Sequence, residues 1–243
     1  MKITLPQYIS NPQGGRVMSN TQVYRSMYQS KLDPLLLREN NEIPIILFKD
    51  SNSKYVVYIK VPSESTKGFF YDVVIEFTSN DAKEINSSSL KNYNIRFFSN
   101  EPGFVFNFCY SFIQNQIFFD DLESRMGKLA KTQAAIMTNK NNQVGYAKSI
   151  YFAYLIIEQR GLWNKDLYQT KYSQSNLLKM VRHSDVVLAN RQQLAANQKL
   201  KASKSTNKVQ SDKMRDNRTI SSSRSSSVRK TSTVSSAKKV KRI

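Results

Sequence analysis

The 47 residues from Asn197 to Ile243 contain no Phe, Tyr or Trp and carry 14 Lys/Arg against two acids, Asp212 and Asp216. Their net charge, 14 − 2 = +12, is most of the +19 of the whole chain. A segment this basic buries too little apolar surface to offset the conformational entropy of folding, and a disordered arm is the expectation. Any fold must therefore be assembled from the first 196 residues. These hold all the aromatic side chains, the last being Tyr172, with 37 − 14 = 23 basic and 18 − 2 = 16 acidic residues.

A body of that length can enclose one sizeable core. Pro6, Pro12, Gly14 and Gly15 interrupt a polar start, so residues 1–40 read as an extended N-terminal arm, 41–196 as the body and 197–243 as the disordered arm. Ile45–Phe48, Tyr55–Val61, Phe69–Phe77 and Tyr93–Phe98 are rich in β-branched and aromatic residues, which predicts four strands. Their short connections favour an antiparallel meander.

Helices are predicted downstream, giving an α+β fold class. Ser99-Asn100-Glu101-Pro102 is a helix-start pattern, and Phe104, Phe108, Cys109, Phe112 and Ile113 share a helical face. Asp120-Asp121 places acids where a helix begins. Ser149–Arg160 carries Ile150, Tyr151, Tyr154, Leu155 and Ile157 on one broad side, with Gly161 at a left-handed cap. Ser175–Lys201 is expected to be one last helix leading into the arm.

No catalytic constellation emerges. His183 is the sole histidine, and on a continuous helix its ring points about 200° away from Asp185, two residues on. Cys109, the only cysteine, reads as a buried packing residue. One cysteine makes neither a disulfide nor a cysteine zinc cluster, and neither a metal nor another cofactor is expected. No phosphate loop or dinucleotide fingerprint occurs. Asp120, Asp121 and Glu123 form the main acid cluster, with Asp72 and Glu76 as further candidates for a magnesium site. Helix N-terminal charge explains the cluster more simply. Tyr55, Tyr58, Tyr93, Phe97 and Phe98 could stack unpaired bases if they lay bare on a sheet, although strand aromatics are more often core. The chain has neither a signal peptide nor an apolar run long enough to span a bilayer, so a soluble, non-enzymatic protein is expected.

The arm carries the one positive functional signal. Lys199, Lys201, Lys204, Lys208, Lys213, Arg215, Arg218, Arg224, Arg229, Lys230, Lys238, Lys239, Lys241 and Arg242 are interleaved with 16 Ser/Thr. Such a segment binds polyanions without fixed geometry, because each phosphate contact releases counterions. Nucleic acid, DNA in the first instance, is the expected partner. In a eukaryotic protein the Lys238–Arg242 cluster would act as a nuclear import signal.

The segments 94–106, Asn-Ile-Arg-Phe-Phe-Ser-Asn-Glu-Pro-Gly-Phe-Val-Phe, and 144–154, Val-Gly-Tyr-Ala-Lys-Ser-Ile-Tyr-Phe-Ala-Tyr, resemble stretches in poorly characterised proteins of large tailed bacteriophages. The resemblance covers about residues 40–170 and contains no catalytic motif. It implies a phage origin and a structural role in the virion, with a location in the particle and the host cytoplasm. The body and N-terminal arm would then contact other virion proteins or further copies of the chain. A metal-dependent nucleic-acid-processing enzyme and an intracellular transcription regulator are the alternatives.

Overall fold

The computed structural model of the protein describes residues 2–10, 21–134, 139, 144–145, 147–194 and 196. Residues up to Leu194 form one compact unit. Its framework is a five-stranded sheet in the order β4-β3-β2-β1-β5. The strands are β1 (Ile45–Ser51), β2 (Lys54–Pro62), β3 (Phe70–Thr78), β4 (Asn94–Ser99) and β5 (Thr170–Lys171). The first four pair antiparallel in sequence order, as the short turns between them require. The expected all-antiparallel meander is corrected at one edge, where the two-residue β5 runs parallel to Phe48-Lys49 of β1. That pair is closed from the far end of the chain, after the helical layer, which is the connection a parallel pair needs.

Neither face of the central strands is open. All seven apolar residues of β2 are buried, and β3 is buried from Tyr71 to Phe77. Val57, Ile59, Val73, Ile75 and Phe97 face α7 (Lys148–Gln159), which packs on β2, β3 and β4. The sequence pattern suggests one buried side for α7, yet every residue from Ser149 to Ile157 is buried. It is a middle layer: α2 (Thr21–Arg38) covers its outer side, with Tyr28 stacked on Tyr151 at 4.3 Å between ring centroids. A helix enclosed on both sides is apolar all round. Gly161 ends it at φ +63°, the expected left-handed cap.

The region 1–40, expected to be extended, is helical where it is described. Thr4 and Gln7 form a reciprocal cap, Gln7 N–H donating to the Thr4 hydroxyl (3.3 Å) and Thr4 N–H to Gln7 Oε1 (3.0 Å). This capping box starts α1 (Leu5–Ser10), which buries Leu5, Tyr8 and Ile9. In α2, Leu32, Leu35 and Leu36 are buried one turn beyond Tyr28. The apolar stripe outweighs Pro34, which lies inside the helix. Ile3 and Thr4 also bridge to β4, so this end of the chain belongs to the core.

A short helix, α3 (Ala82–Asn86), lies in the β3–β4 connection, and the helices after β4 are shorter than expected. Phe104–Ile113 is helical but divided at Phe108 (φ −125°, ψ −25°) into α4 (Pro102–Asn107) and α5 (Cys109–Gln114). Ile117–Phe119 then lies along the outer edge of β4, with Phe119 N–H donating to Phe97 O at 2.8 Å. Asp120–Arg125 is a 3-10 turn, followed by α6 (Lys128–Thr132). The single last helix expected over Ser175–Lys201 is instead α8 (Gln174–Met180), a break at 181–183, and α9 over 184–194. The break follows from Asp72, which draws the Arg182 backbone to itself. No described helix is long and apolar enough to cross a membrane.

Candidate functional site

The second face of the sheet carries the charged residues. Register places Glu76 between Val56 of β2 and Arg96 of β4, with Lys54 one pair further along the same face. Lys54 Nζ lies 3.0 Å from Glu76, 3.8 Å from Asp50 and 3.9 Å from Asp121. Arg96 reaches Asp120 at 3.2 Å and Glu76 at 3.9 Å. The Tyr172 hydroxyl donates to Asp121 at 2.5 Å, and Lys54 Nζ sits over the Tyr172 ring at 5.2 Å from its centroid.

Burial dominates Glu76 and raises its carboxyl above the ordinary value, in spite of Lys54 and Arg96. Lys54 behaves differently. Burial acts to lower its pKa, but Glu76, Asp121 and Asp50 together outweigh that and raise it. One ammonium shared among three acids, and still about a quarter exposed, gains more than the enclosed Glu76 does. Burial and the bond to Asp121 likewise push the Tyr172 phenol up.

The proposed magnesium set is not gathered. Asp120 and Asp121 meet Glu76 at one end of β3 through Arg96 and Lys54. Asp72 lies four residues along the strand, about 13 Å away at 3.3 Å per residue. Its carboxylate is occupied by Arg182 Nε (3.0 Å), Tyr58 OH (3.0 Å) and Asn100 Nδ2 (2.7 Å). Glu123 is exposed and pairs with Lys131. No group of three His, Cys, Asp or Glu arranged to hold a metal ion occurs among the described residues.

The other candidates resolve individually. Tyr55, Tyr58, Tyr93, Phe97 and Phe98 are all core residues, at most 3 % exposed, so they offer no open platform for bases. Tyr55 packs on Tyr93 and Tyr168, Phe97 on Tyr8 and Phe112, and Phe98 on Phe118, while the Tyr58 hydroxyl donates to Asp72. Cys109 is buried, and its thiol is pushed up to about 12 by burial. His183 falls in the break between α8 and α9 rather than on a helix, so its Nδ1 comes within 3.6 Å of Asp185 after all. Its contacts are local: Nδ1 also accepts the Asp185 N–H.

Three polar anchors carried no motif. Lys54 and Arg182 are visible only once strand register and chain reversal are known. Lys165 is buried with Nζ on Glu84 O, Ile85 O and Tyr93 OH, and burial lowers its pKa. All three ammonium donors close backbone or phenol acceptors, which is a structural duty.

A cavity of about 130 Å³ opens between the β2–β3 loop and the start of α7, with Val61, Tyr71 and Phe152 in its walls. Its charged side chains are already hydrogen-bonded. Lys148 meets Glu64 at 2.5 Å, Glu101 accepts the Ser149 N–H at 3.1 Å, and Arg191 donates to Ser65 Oγ at 3.2 Å.

The 14 arm cations, Lys199 to Arg242, lie outside the described residues. No protein-family model, curated protein or solved structure matches the chain.

Proposed function

We propose that the protein is a non-enzymatic, nucleic-acid-associated protein: an α+β body with a polycationic arm, 197–243, that neutralises phosphates without reading sequence. The observation that supports this is charge segregation. Of the net +19, 14 − 2 = +12 lies in 47 residues without an aromatic side chain, and 19 − 12 = +7 is spread over the other 196. In the body, the acids of the candidate magnesium set are held in ion pairs with Lys54, Arg96, Lys131 and Arg182, which suits a binding scaffold. The resemblance to phage proteins adds the proposal of a virion component, with the arm on packaged DNA and the body on neighbouring particle proteins.

Filter binding of random-sequence duplex DNA tests the arm. Its log affinity should fall linearly with log salt at about 0.9 per phosphate contact, and 6–10 contacts correspond to about a 10³–10⁵-fold loss between 50 and 200 mM. Deleting 197–243 should weaken binding at least about 100-fold and flatten the salt slope. Unchanged DNA affinity after that deletion would refute the proposal. Mass spectrometry of purified particles tests the virion placement separately.

A further inference from the structure

A second cavity, about 260 Å³, lies where β3 ends and β4 begins. Lys2, Thr78, Asn80, Asn94, Arg96 and Gln116 form its polar walls, joined by Ser79 and Ile95. No carboxylate is among them. The side chains of Lys2, Thr78, Asn80, Asn94 and Gln116 make no hydrogen bond or ion pair with other described residues. An ammonium, three carboxamides and a hydroxyl thus converge on one space with their donors uncommitted.

The neighbouring acids Asp120, Glu76 and Glu84 are not part of its lining. Arg96 uses one N–H on Asp120, a pair in which Asp120 is 71 % exposed, and has Nε 3.9 Å from Glu76. An exposed pair of that kind is worth little, and with Nη1 on Asp120 no hydrogen bond to a described residue occupies Nη2. Glu84 is held by the Ser79 hydroxyl, which also accepts from Asp81 N–H. Gln116 reaches the rim because it adopts φ +58° just after α5, where Ile117 N–H returns to Phe112 O. That residue turns the chain back along β4 and leaves its amide beside Arg96 and Lys2.

Two cations plus carboxamide N–H groups and no acid are the complement of a tetrahedral oxyanion. Arg supplies a planar fork to two oxygens and Lys a point charge. We propose that this cavity is a phosphate-binding site of the folded body. Lys2 and Arg96 neutralise the phosphate, and Asn80, Asn94 and Gln116 donate to its oxygens or to an attached sugar. The site is separate from the arm and stands whether or not residues 197–243 bind DNA.

The test uses the full chain and reads the side-chain amide resonances of Asn80, Asn94 and Gln116 by NMR, at constant ionic strength. One titration adds inorganic phosphate and another adds the 5′-phosphorylated dinucleotide pTpT. Saturable shifts of these three amides are expected in at least one arm of the experiment. Response to phosphate alone identifies a free oxyanion as the ligand source, whereas response to pTpT identifies a nucleic-acid phosphate. Lys2→Gln, a surface change that leaves the Glu76 pairs intact, should weaken binding about 3- to 10-fold, and Lys2→Gln with Arg96→Gln at least about 30-fold. Absence of saturable shifts in both titrations, or affinity unchanged in the double variant, would overturn the site.

Discussion

Arg182 holds Asp72 from two directions at once. Its Nε and its own backbone N–H both donate to the same carboxylate oxygen, at 3.0 and 3.1 Å, while its Nη2 donates to Phe70 O. Asp72 is wholly buried in the third strand of the sheet, and the Arg182 side chain is 32 % exposed. The pair therefore ties the break between α8 and α9 to the centre of the fold and fixes where α9 begins.

That difference in exposure predicts an asymmetry. Arg182→Ala strands a buried carboxylate with only Tyr58 and Asn100 as side-chain donors, and should cost about 3 kcal/mol or more. Asp72→Asn leaves a guanidinium that can turn to water, at a cost of about 1–2 kcal/mol. Urea denaturation of both variants and of the double variant measures this directly. An Arg182→Ala cost equal to or below that of Asp72→Asn would show that burial of the carboxylate is not what makes the clamp matter.

Glu76 predicts a pH dependence of opposite sign to an ordinary ion pair. Its folded carboxyl is raised above the usual 4.5, chiefly by burial. From 4.5 up to its folded value, the native state holds a proton that the unfolded chain has released. Stability contributed by this group therefore falls as pH rises through that window. In Glu76→Gln the term is absent, so the unfolding free energy of the parent minus that of the variant should decrease between pH 4 and pH 7. Lys54, raised by its acidic neighbours, titrates far above this range and adds only a constant offset. A parent-minus-variant difference that rises with pH would mean the carboxyl is stabilised in its charged form.

The strands were legible because β2 and β3 are rich in β-branched and aromatic residues, and short polar turns separate them. Helix α7 was legible from its broad apolar side and the Gly161 cap, but its second buried side was not, since nothing in its own pattern names α2 as a cover. The helices of the first 40 residues were missed although their signals were present. Thr4-x-x-Gln7 is a capping box, and Tyr28, Leu32, Leu35 and Leu36 repeat at helical spacing. Pro6, Pro12, Gly14 and Gly15 read as breaks in this stretch and mask both. The charged clusters were not legible at all. Lys54, Glu76 and Asp121 meet only through strand register and a turn 45 residues beyond Glu76, and Asp72 meets Arg182 across 110 residues.

The N-terminal helix predicts that this region cannot be removed without penalty. Tyr8 is wholly buried, 4.9 Å from the Phe97 ring between centroids, and its hydroxyl donates to Gly145 O at 2.6 Å. Tyr8→Ala should cost about 3–5 kcal/mol through the cavity it leaves. Tyr8→Phe should cost about 1 kcal/mol, the loss of one hydrogen bond. Thermal or urea unfolding checks both, and a near-neutral Tyr8→Ala would return residues 2–10 to the status of a detachable arm.

Cys109 offers a test of the core in solution that needs no substitution. It is 0 % exposed behind Phe104 and Phe112 on the α4–α5 layer, and burial raises its thiol from 9.0 to about 12. Only the thiolate attacks a disulfide reagent. At a fixed pH below both values the folded protein therefore holds much less thiolate than the unfolded chain. Burial of the sulfur slows the reaction further, because the reagent cannot reach it without local opening. With an aromatic disulfide at pH 8, the native protein should therefore react at least about 100-fold more slowly than the protein in urea, since reaction waits on local opening, with one thiol released per chain on unfolding. A native rate within about tenfold of the unfolded one would show that the α4–α5 layer opens readily and that Cys109 is not sealed in the core.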